Sequence, residues 1–70
     1  MYLRTQNEEI VIDMDKSSSV VVEKNNVYVN IIDGNVFLAG EYSNHERAKE
    51  IVGEIYALFG VSRRYDMPIV

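Results

Sequence analysis

The first half of the chain alternates hydrophobic and polar residues with the period of two that is typical of half-buried β-strands. This alternation, together with runs of β-branched residues, predicts strands over residues 9–14, 20–22, 27–32 and 35–42. Polar turns separate them at residues 15–19, residues 23–26 and Asp33-Gly34. Asp-Gly favours a two-residue type I′ hairpin, because both residues accept a positive φ. The pattern predicts a four-stranded antiparallel β-meander, with residues 2–5 as a short fifth strand at the N-terminus.

The second half of the chain changes to the spacing of one amphipathic helix over residues 44–59. Its apolar stripe consists of Ala48, Ile51, Val52, Ile55 and Phe59. Ser43-Asn44-His45-Glu46 fits a capping box, so Ser43 is the predicted N-cap. Gly60 fits the C′ position, where glycine commonly ends a helix. A helix packed on the sheet makes the predicted fold class α+β.

Two glycines inside the predicted elements need an explanation. Gly40 weakens a strand interior, so it predicts a β-bulge or the close approach of another group. Gly53 lies in the helix, where glycine costs about 1 kcal/mol relative to alanine. A small residue there would admit a neighbouring backbone or side chain.

The length of the chain, 70 residues, allows one domain, with residues 61–70 as a C-terminal tail. A domain of this size buries only about 60% of the surface of its unfolded chain. One helix covers one sheet face, yet both faces of the predicted strands carry large apolar residues. The residues left on the uncovered or mixed side are Val11, Val21, Tyr28, Ile32 and Phe37. We therefore expect a homo-oligomer, formed by packing sheets face to face or pairing strand edges across a two-fold axis.

Composition narrows the setting and the partners. The chain has no cysteine, which excludes disulfides and thiolate metal sites and is compatible with a reducing cytosol. No apolar run reaches the length of a membrane span, and the first residues lack the apolar core of a signal peptide. We expect a cytoplasmic protein without membrane contact. The net charge of −4 disfavours direct binding to DNA or RNA.

The chain offers no recognisable catalytic set. His45 is the only histidine, and its place in the first helical turn beside Ser43 is a poor geometry for a nucleophile and its base. The carboxylates follow strand ends and a helix face, with neither the cleft of an acid–base pair nor the spacing of a metal loop. We expect no enzymatic activity, no metal and no cofactor.

The strongest candidate for ligand binding is Arg63-Arg64-Tyr65, just after the helix. Arginine forks suit phosphate or carboxylate, and a tyrosine ring can stack on a base. Arg4 joins the cluster if the N-terminus lies beside the tail. The alternative is structural, because cations near a helix C-terminus also complement the helix dipole.

Three segments resemble a known group of proteins: Leu3-Arg4-Thr5-Gln6-Asn7, residues 38–55 and Tyr65-Asp66-Met67-Pro68. Together they cover about half of the chain. They are similar to small uncharacterised proteins encoded by phages and prophages of Gram-positive bacteria. That family carries a Leu-Gly-Glu-Tyr strand end, a Glu-Arg-Ala helix and a Tyr-x-Met-Pro C-terminus. This sequence departs from the pattern by inserting Ala39 in the strand end and by Lys49 at a usually apolar helix position.

The resemblance implies a phage accessory protein in the cytoplasm of the infected host, and small phage proteins often antagonise host defence. The first hypothesis is stoichiometric binding, for example as an oligomeric sponge for a nucleotide signal with Arg63, Arg64 and Tyr65 in an inter-subunit pocket. A second is a protein-binding inhibitor that presents an acidic helix face, consisting of Glu46, Glu50 and Glu54, to a basic site on a host protein. A third is a structural or assembly factor with no ligand.

Overall fold

A computed structural model describes all residues, 1–70. It contains one α-helix and two three-stranded sheets, which confirms the α+β class. The elements are β1 (Tyr2–Arg4), β2 (Val11–Asp13), a 3₁₀ turn (Met14–Lys16), β3 (Ser17–Glu23), β4 (Asn26–Ile31), β5 (Val36–Glu41), α1 (His45–Leu58) and β6 (Arg64–Asp66).

The first sheet has the order β2-β1-β6 and joins the two ends of the chain. β1 confirms the predicted N-terminal strand, and it pairs antiparallel with β2 and parallel with β6. Leu3 lies between Ile12 and Tyr65 in the register of the sheet, and all three side chains are buried. The C-terminal tail therefore contributes a strand that the sequence pattern did not predict.

The second sheet is an antiparallel meander with the order β3-β4-β5, so the predicted four-stranded meander has three strands. The segment predicted at residues 9–14 forms β2 and belongs to the first sheet. The reason is the 3₁₀ turn that follows it. The Asp13 side chain accepts a hydrogen bond from the Asp15 N–H, and Met14 is buried there, so the chain changes direction before β3 begins. Ser17–Ser19, predicted as a turn, begins β3.

The hairpin between β4 and β5 also differs from the prediction. Only Gly34 has a positive φ, of 100°, so Asp33-Gly34 is not a type I′ turn. The Ile31 N–H donates to the Asn35 carbonyl at 2.8 Å, which encloses a three-residue loop. A type I turn followed by a left-handed glycine has this length. Asp33 instead accepts a hydrogen bond from the Asn35 N–H at 2.9 Å.

The helix α1 packs on the inner face of the second sheet, over β3 and β4. Asn44, rather than the predicted Ser43, is the N-cap, and its side-chain oxygen accepts from the Arg47 N–H at 2.8 Å. Gly60 follows the C-cap Phe59 with a φ of 83°, which confirms it as the residue that ends the helix.

The core combines residues from both sheets and the helix. Its buried hydrophobic members are Leu3, Ile12, Met14, Val27, Val29, Ala39, Tyr42, Ala48, Ile51, Ile55, Tyr65 and Met67. On the opposite face of the second sheet Val21 is exposed and Tyr28 is half-buried, as predicted for an uncovered face. Leu38, which was not among the residues predicted there, is also exposed on this face. Phe37 departs from that prediction, because it packs against the core.

Candidate functional site

The register of the first sheet places a tyrosine and two arginines together on its outer face. β1 and β6 run parallel with Tyr2 opposite Arg64 and Arg4 opposite Asp66. Side chains of paired residues point to the same side of a sheet, and these alternate with the buried Leu3 and Tyr65. We call Tyr2, Arg4 and Arg64 the basic-aromatic face.

The basic-aromatic face borders an open pocket of about 240 Å³. Val11 and Asp66 complete its lining, and they belong to the two strands on either side of β1. Arg4 therefore lies beside the tail, which was the condition for it to join the predicted cluster. The pairing of β1 with β6 brings the two together.

Charges on this face are nearly balanced. Arg4 pairs with Asp66 (Nε to Oδ1, 3.3 Å) and with Glu8 (Nη2 to Oε1, 3.8 Å). Asp13 is aligned with Tyr2 on the same face. Arg64 has no carboxylate within 4.0 Å, so its guanidinium is the cation left free to bind an anion.

The predicted trio Arg63-Arg64-Tyr65 is divided by the strand that contains it. Tyr65 points inward, is 8% exposed and donates its hydroxyl hydrogen bond to Glu54 Oε1 at 3.0 Å. Burial raises the pKa of Tyr65 well above its usual range, and the hydrogen bond to Glu54 raises it further. Arg63 is exposed and lies outside the pocket, while its carbonyl accepts from the Tyr2 N–H at 2.8 Å. Of the trio, only Arg64 lines the pocket.

Gln6 ties the segments around the site together, and no pattern in the sequence indicated this role. Its N–H donates to the Ala39 carbonyl at 2.8 Å, and its side-chain Oε1 accepts from the Glu41 N–H at 2.8 Å. Its Nε2 donates to the carbonyls of Glu41 at 3.0 Å and Ile69 at 2.8 Å. These bonds cover the edge of β5 at Ala39 and Glu41 and anchor the tail. Gln6 lies in one of the three segments that carry the family resemblance, and it links that segment to residues 38–55 and to Ile69, just after the third segment.

The tail is held at two further points. Tyr42 donates its hydroxyl hydrogen bond to the Pro68 carbonyl at 2.9 Å, and Arg47 donates from Nη2 to the main-chain oxygen of Val70 at 3.0 Å. Burial raises the pKa of Tyr42, with Arg47 acting against the shift and Glu54 adding to it. These contacts hold the residues that follow β6.

Gly40 is explained by the ring of Tyr42. A Cβ atom at position 40 would lie 2.6 Å from Tyr42 Oη, inside any allowed contact distance. The register also shifts here, since Val27 pairs with Gly40 and Tyr28 with Leu38, which leaves Ala39 as an extra residue. Both predictions for Gly40 are confirmed, and the bulge falls on the inserted residue Ala39.

Gly53 has the opposite surroundings. Nothing lies within 4 Å of a Cβ atom built there, so the predicted close neighbour is absent.

A second concavity, which we call the apolar groove, separates α1 from β3. Its lining is entirely hydrophobic and consists of Val20, Val52, Ile55, Tyr56 and Phe59, around a volume of about 350 Å³. Tyr56 is 85% exposed and Phe59 is 46% exposed. Val52, Ile55 and Phe59 of this lining belong to the apolar stripe predicted for the helix, whereas Tyr56 does not.

The acidic helix face is only partly free. Glu46 and Glu50 are exposed, but Glu54 accepts the Tyr65 hydrogen bond and lies 4.0 Å from Arg47.

His45 is exposed, and its Nδ1 contacts the Lys24 carbonyl. No group of three or more His, Asp or Glu side chains is placed to hold a metal ion. The 14-residue α1 is neither long nor apolar enough to cross a membrane.

No protein-family model, curated protein or solved structure matches this chain. The geometry of the chain's own residues therefore carries the functional interpretation.

Proposed function

We propose that this chain is a small phage accessory protein that counters host defence by stoichiometric binding of a phosphate-bearing nucleotide at the basic-aromatic face. The supporting observation is the register of β1 and β6, which places Tyr2, Arg4 and Arg64 around one pocket. The phage setting rests on the sequence resemblance alone. The ligand class rests on the chemistry of the three side chains.

Each side chain has a distinct part in this proposal. Arg64 binds a phosphate group, since it has no acidic partner and a guanidinium can donate two parallel hydrogen bonds to phosphate oxygens. Asp66 holds Arg4 at 3.3 Å, so Arg4 supplies a fixed hydrogen-bond donor at the pocket wall, with its charge offset by Asp66 and Glu8. Tyr2 is exposed and offers its ring for stacking on the base.

The size and charge of the site favour a small ligand over a nucleic acid. The pocket of about 240 Å³ is below the roughly 300–1,000 Å³ that is typical of sites that enclose a whole ligand. It accommodates a phosphate and its sugar, with the base outside on Tyr2. Asp13 and Asp66 offset the two arginines, so the face has no charge excess with which to follow a phosphate backbone.

Isothermal titration with a panel of mononucleotides and cyclic nucleotides tests the proposal, with inorganic phosphate as the smallest probe. Arg64→Ala should weaken nucleotide binding by about tenfold to a hundredfold, since a hydrogen bond to a charged group contributes about 1.5–3 kcal/mol. Arg63→Ala is the matched control, because it removes the same charge one residue away from the pocket. It should change the affinity less than twofold.

Two results would contradict the nucleotide site: a wild-type chain that releases no heat with any member of the panel, and an equal loss of affinity in the two arginine variants. The first result would favour the two alternatives, a protein-binding inhibitor or an assembly factor. For the inhibitor, the exposed Glu46 and Glu50 would carry the contact, because Glu54 is engaged with Tyr65.

A further inference from the structure

The edge of β3 differs from every other strand edge in the protein. β3 has seven residues, the most of any strand, and lies at one end of the second sheet. At the other end of that sheet, Gln6 covers the last residues of β5 with hydrogen bonds to Ala39 and Glu41. The edge strands of the first sheet, β2 and β6, have only three residues each. β3 is thus the long uncapped edge.

The sequence of β3 lacks the devices that normally protect an exposed edge. Natural sheets place charges, prolines or bulges along such edges to prevent pairing with another chain. A bulge interrupts β3 between Ser17 and Ser19, but Ser19–Glu23 is regular. This segment contains three consecutive valines and no charge before Glu23. It is suited to accept another strand.

The apolar groove lies directly beside this edge. Val20 of β3 forms one wall, and Val52, Tyr56 and Phe59 extend along the exposed side of the helix. Large apolar side chains that are exposed together next to a free edge mark an interaction surface. An occupant that pairs with β3 would also cover the groove.

We infer that the occupant is a second copy of this chain, paired antiparallel through β3 across a two-fold axis that passes near Val21. Paired residues in antiparallel strands point to the same side of the sheet, so a register centred on Val21 places Val20 opposite Val22 of the second copy. All three valines then meet valines. The two meanders form one six-stranded sheet with the two helices on the same side.

This arrangement covers the apolar groove of each copy and aligns the apolar rows on the opposite face. On the helix side, the two grooves face each other across the axis, so Tyr56 and Phe59 of each copy approach those of the other. On the opposite side, Val21, Tyr28 and Leu38 are aligned across the sheet of one copy. The dimer doubles this row into one continuous apolar strip. A standard interface of about 800 Å² per partner would bury roughly a sixth of the 4652 Å² surface of the chain.

A charge-swap experiment tests the dimer, because a residue next to the two-fold axis meets its own copy. The wild-type chain should have a light-scattering mass of two 8.0 kDa chains. Val21→Lys and Val21→Glu should each have the mass of one chain, since like charges directly opposite repel. An equimolar mixture of the two variants should regain the two-chain mass. That recovery also shows that both variants are folded.

Val36→Lys is the control, because Val36 is an exposed valine on the same sheet face but on β5, two strands from the edge of β3. It should retain the two-chain mass. A wild-type mass of one chain at 100 µM would overturn the inference, and so would a Val21→Lys variant that keeps the two-chain mass. The outcome of this experiment does not decide the nucleotide proposal, because Arg64 lies on the first sheet and Val21 on the second.

Discussion

Gly40→Ala should destabilise the protein through one steric contact. Gly40 has no positive φ, so alanine fits its backbone conformation, and the added methyl group is the only change. The new Cβ would lie 2.6 Å from Oη, 2.7 Å from Cε2 and 2.9 Å from Cζ of Tyr42. Tyr42 is 4% exposed and bonded to Pro68, so a movement of its ring disturbs the buried packing and breaks that hydrogen bond.

The magnitude follows from two losses and one gain. Overpacking a filled site costs about 1–3 kcal/mol. Displacing the ring also breaks the Tyr42–Pro68 hydrogen bond, worth about 1 kcal/mol. Replacing glycine with alanine also stabilises the fold by about 0.5–1 kcal/mol, because it lowers the conformational entropy of the unfolded chain. We expect a net loss of about 2 kcal/mol in the free energy of unfolding, measured by urea denaturation.

A double-mutant cycle shows whether Tyr42 is the cause. Tyr42→Leu removes all three atoms that the new methyl group would contact, so Gly40→Ala should cost less than about 0.5 kcal/mol in that background. Equal costs in the two backgrounds would refute the steric explanation. Gly53→Ala is the control at an open helical position, and it should stabilise the protein by up to about 1 kcal/mol.

Two more predictions concern the helix cap and the buried tyrosine. Asn44→Ala should lower the free energy of unfolding by about 1 kcal/mol, because it removes the acceptor for the Arg47 N–H, whereas Ser43→Ala should have almost no effect in the same urea titration. The raised pKa of Tyr65 means that its stabilising contribution is present below pH 10 and is lost as the pH rises above the unfolded value of 10.0. Tyr65→Phe should therefore show a shallower loss of stability than the wild type between pH 10 and 11, and parallel curves would contradict this.

The local pattern of the sequence predicted the elements that are long and regular. Helix α1 and the strands β4 and β5 have enough periodic residues to define their faces. The cap was ambiguous because Ser43 and Asn44 are both favoured N-cap residues. The Asp33-Gly34 turn was placed correctly but assigned the wrong type. The type depends on loop length, which is set by the register of β4 and β5 and cannot be predicted from these two residues alone.

The local sequence pattern could not predict which strands pair with each other. β6 is a three-residue segment, Arg64–Asp66, that contains two charges and becomes a strand only because β1 lies beside it. Its partner is about sixty residues away in the sequence, and parallel pairing needs no turn between the strands. The candidate site was predicted only in part, because its members also depend on which strands pair. Arg4 and Arg64 were chosen for their chemistry, but only the register shows that Tyr2, and not Tyr65, accompanies them.

The pairing of β1 with β6 also affects the order in which the two sheets can form during synthesis. Residues 2–4 leave the ribosome about sixty residues before their parallel partner at residues 64–66. Until then Leu3 lacks its neighbour Tyr65, while Gln6 lacks the Ile69 carbonyl. The meander and helix have all of their strand partners earlier, so they can form first. Synthesis of residues 64–66 then completes the first sheet and, with it, the pocket beside Arg64.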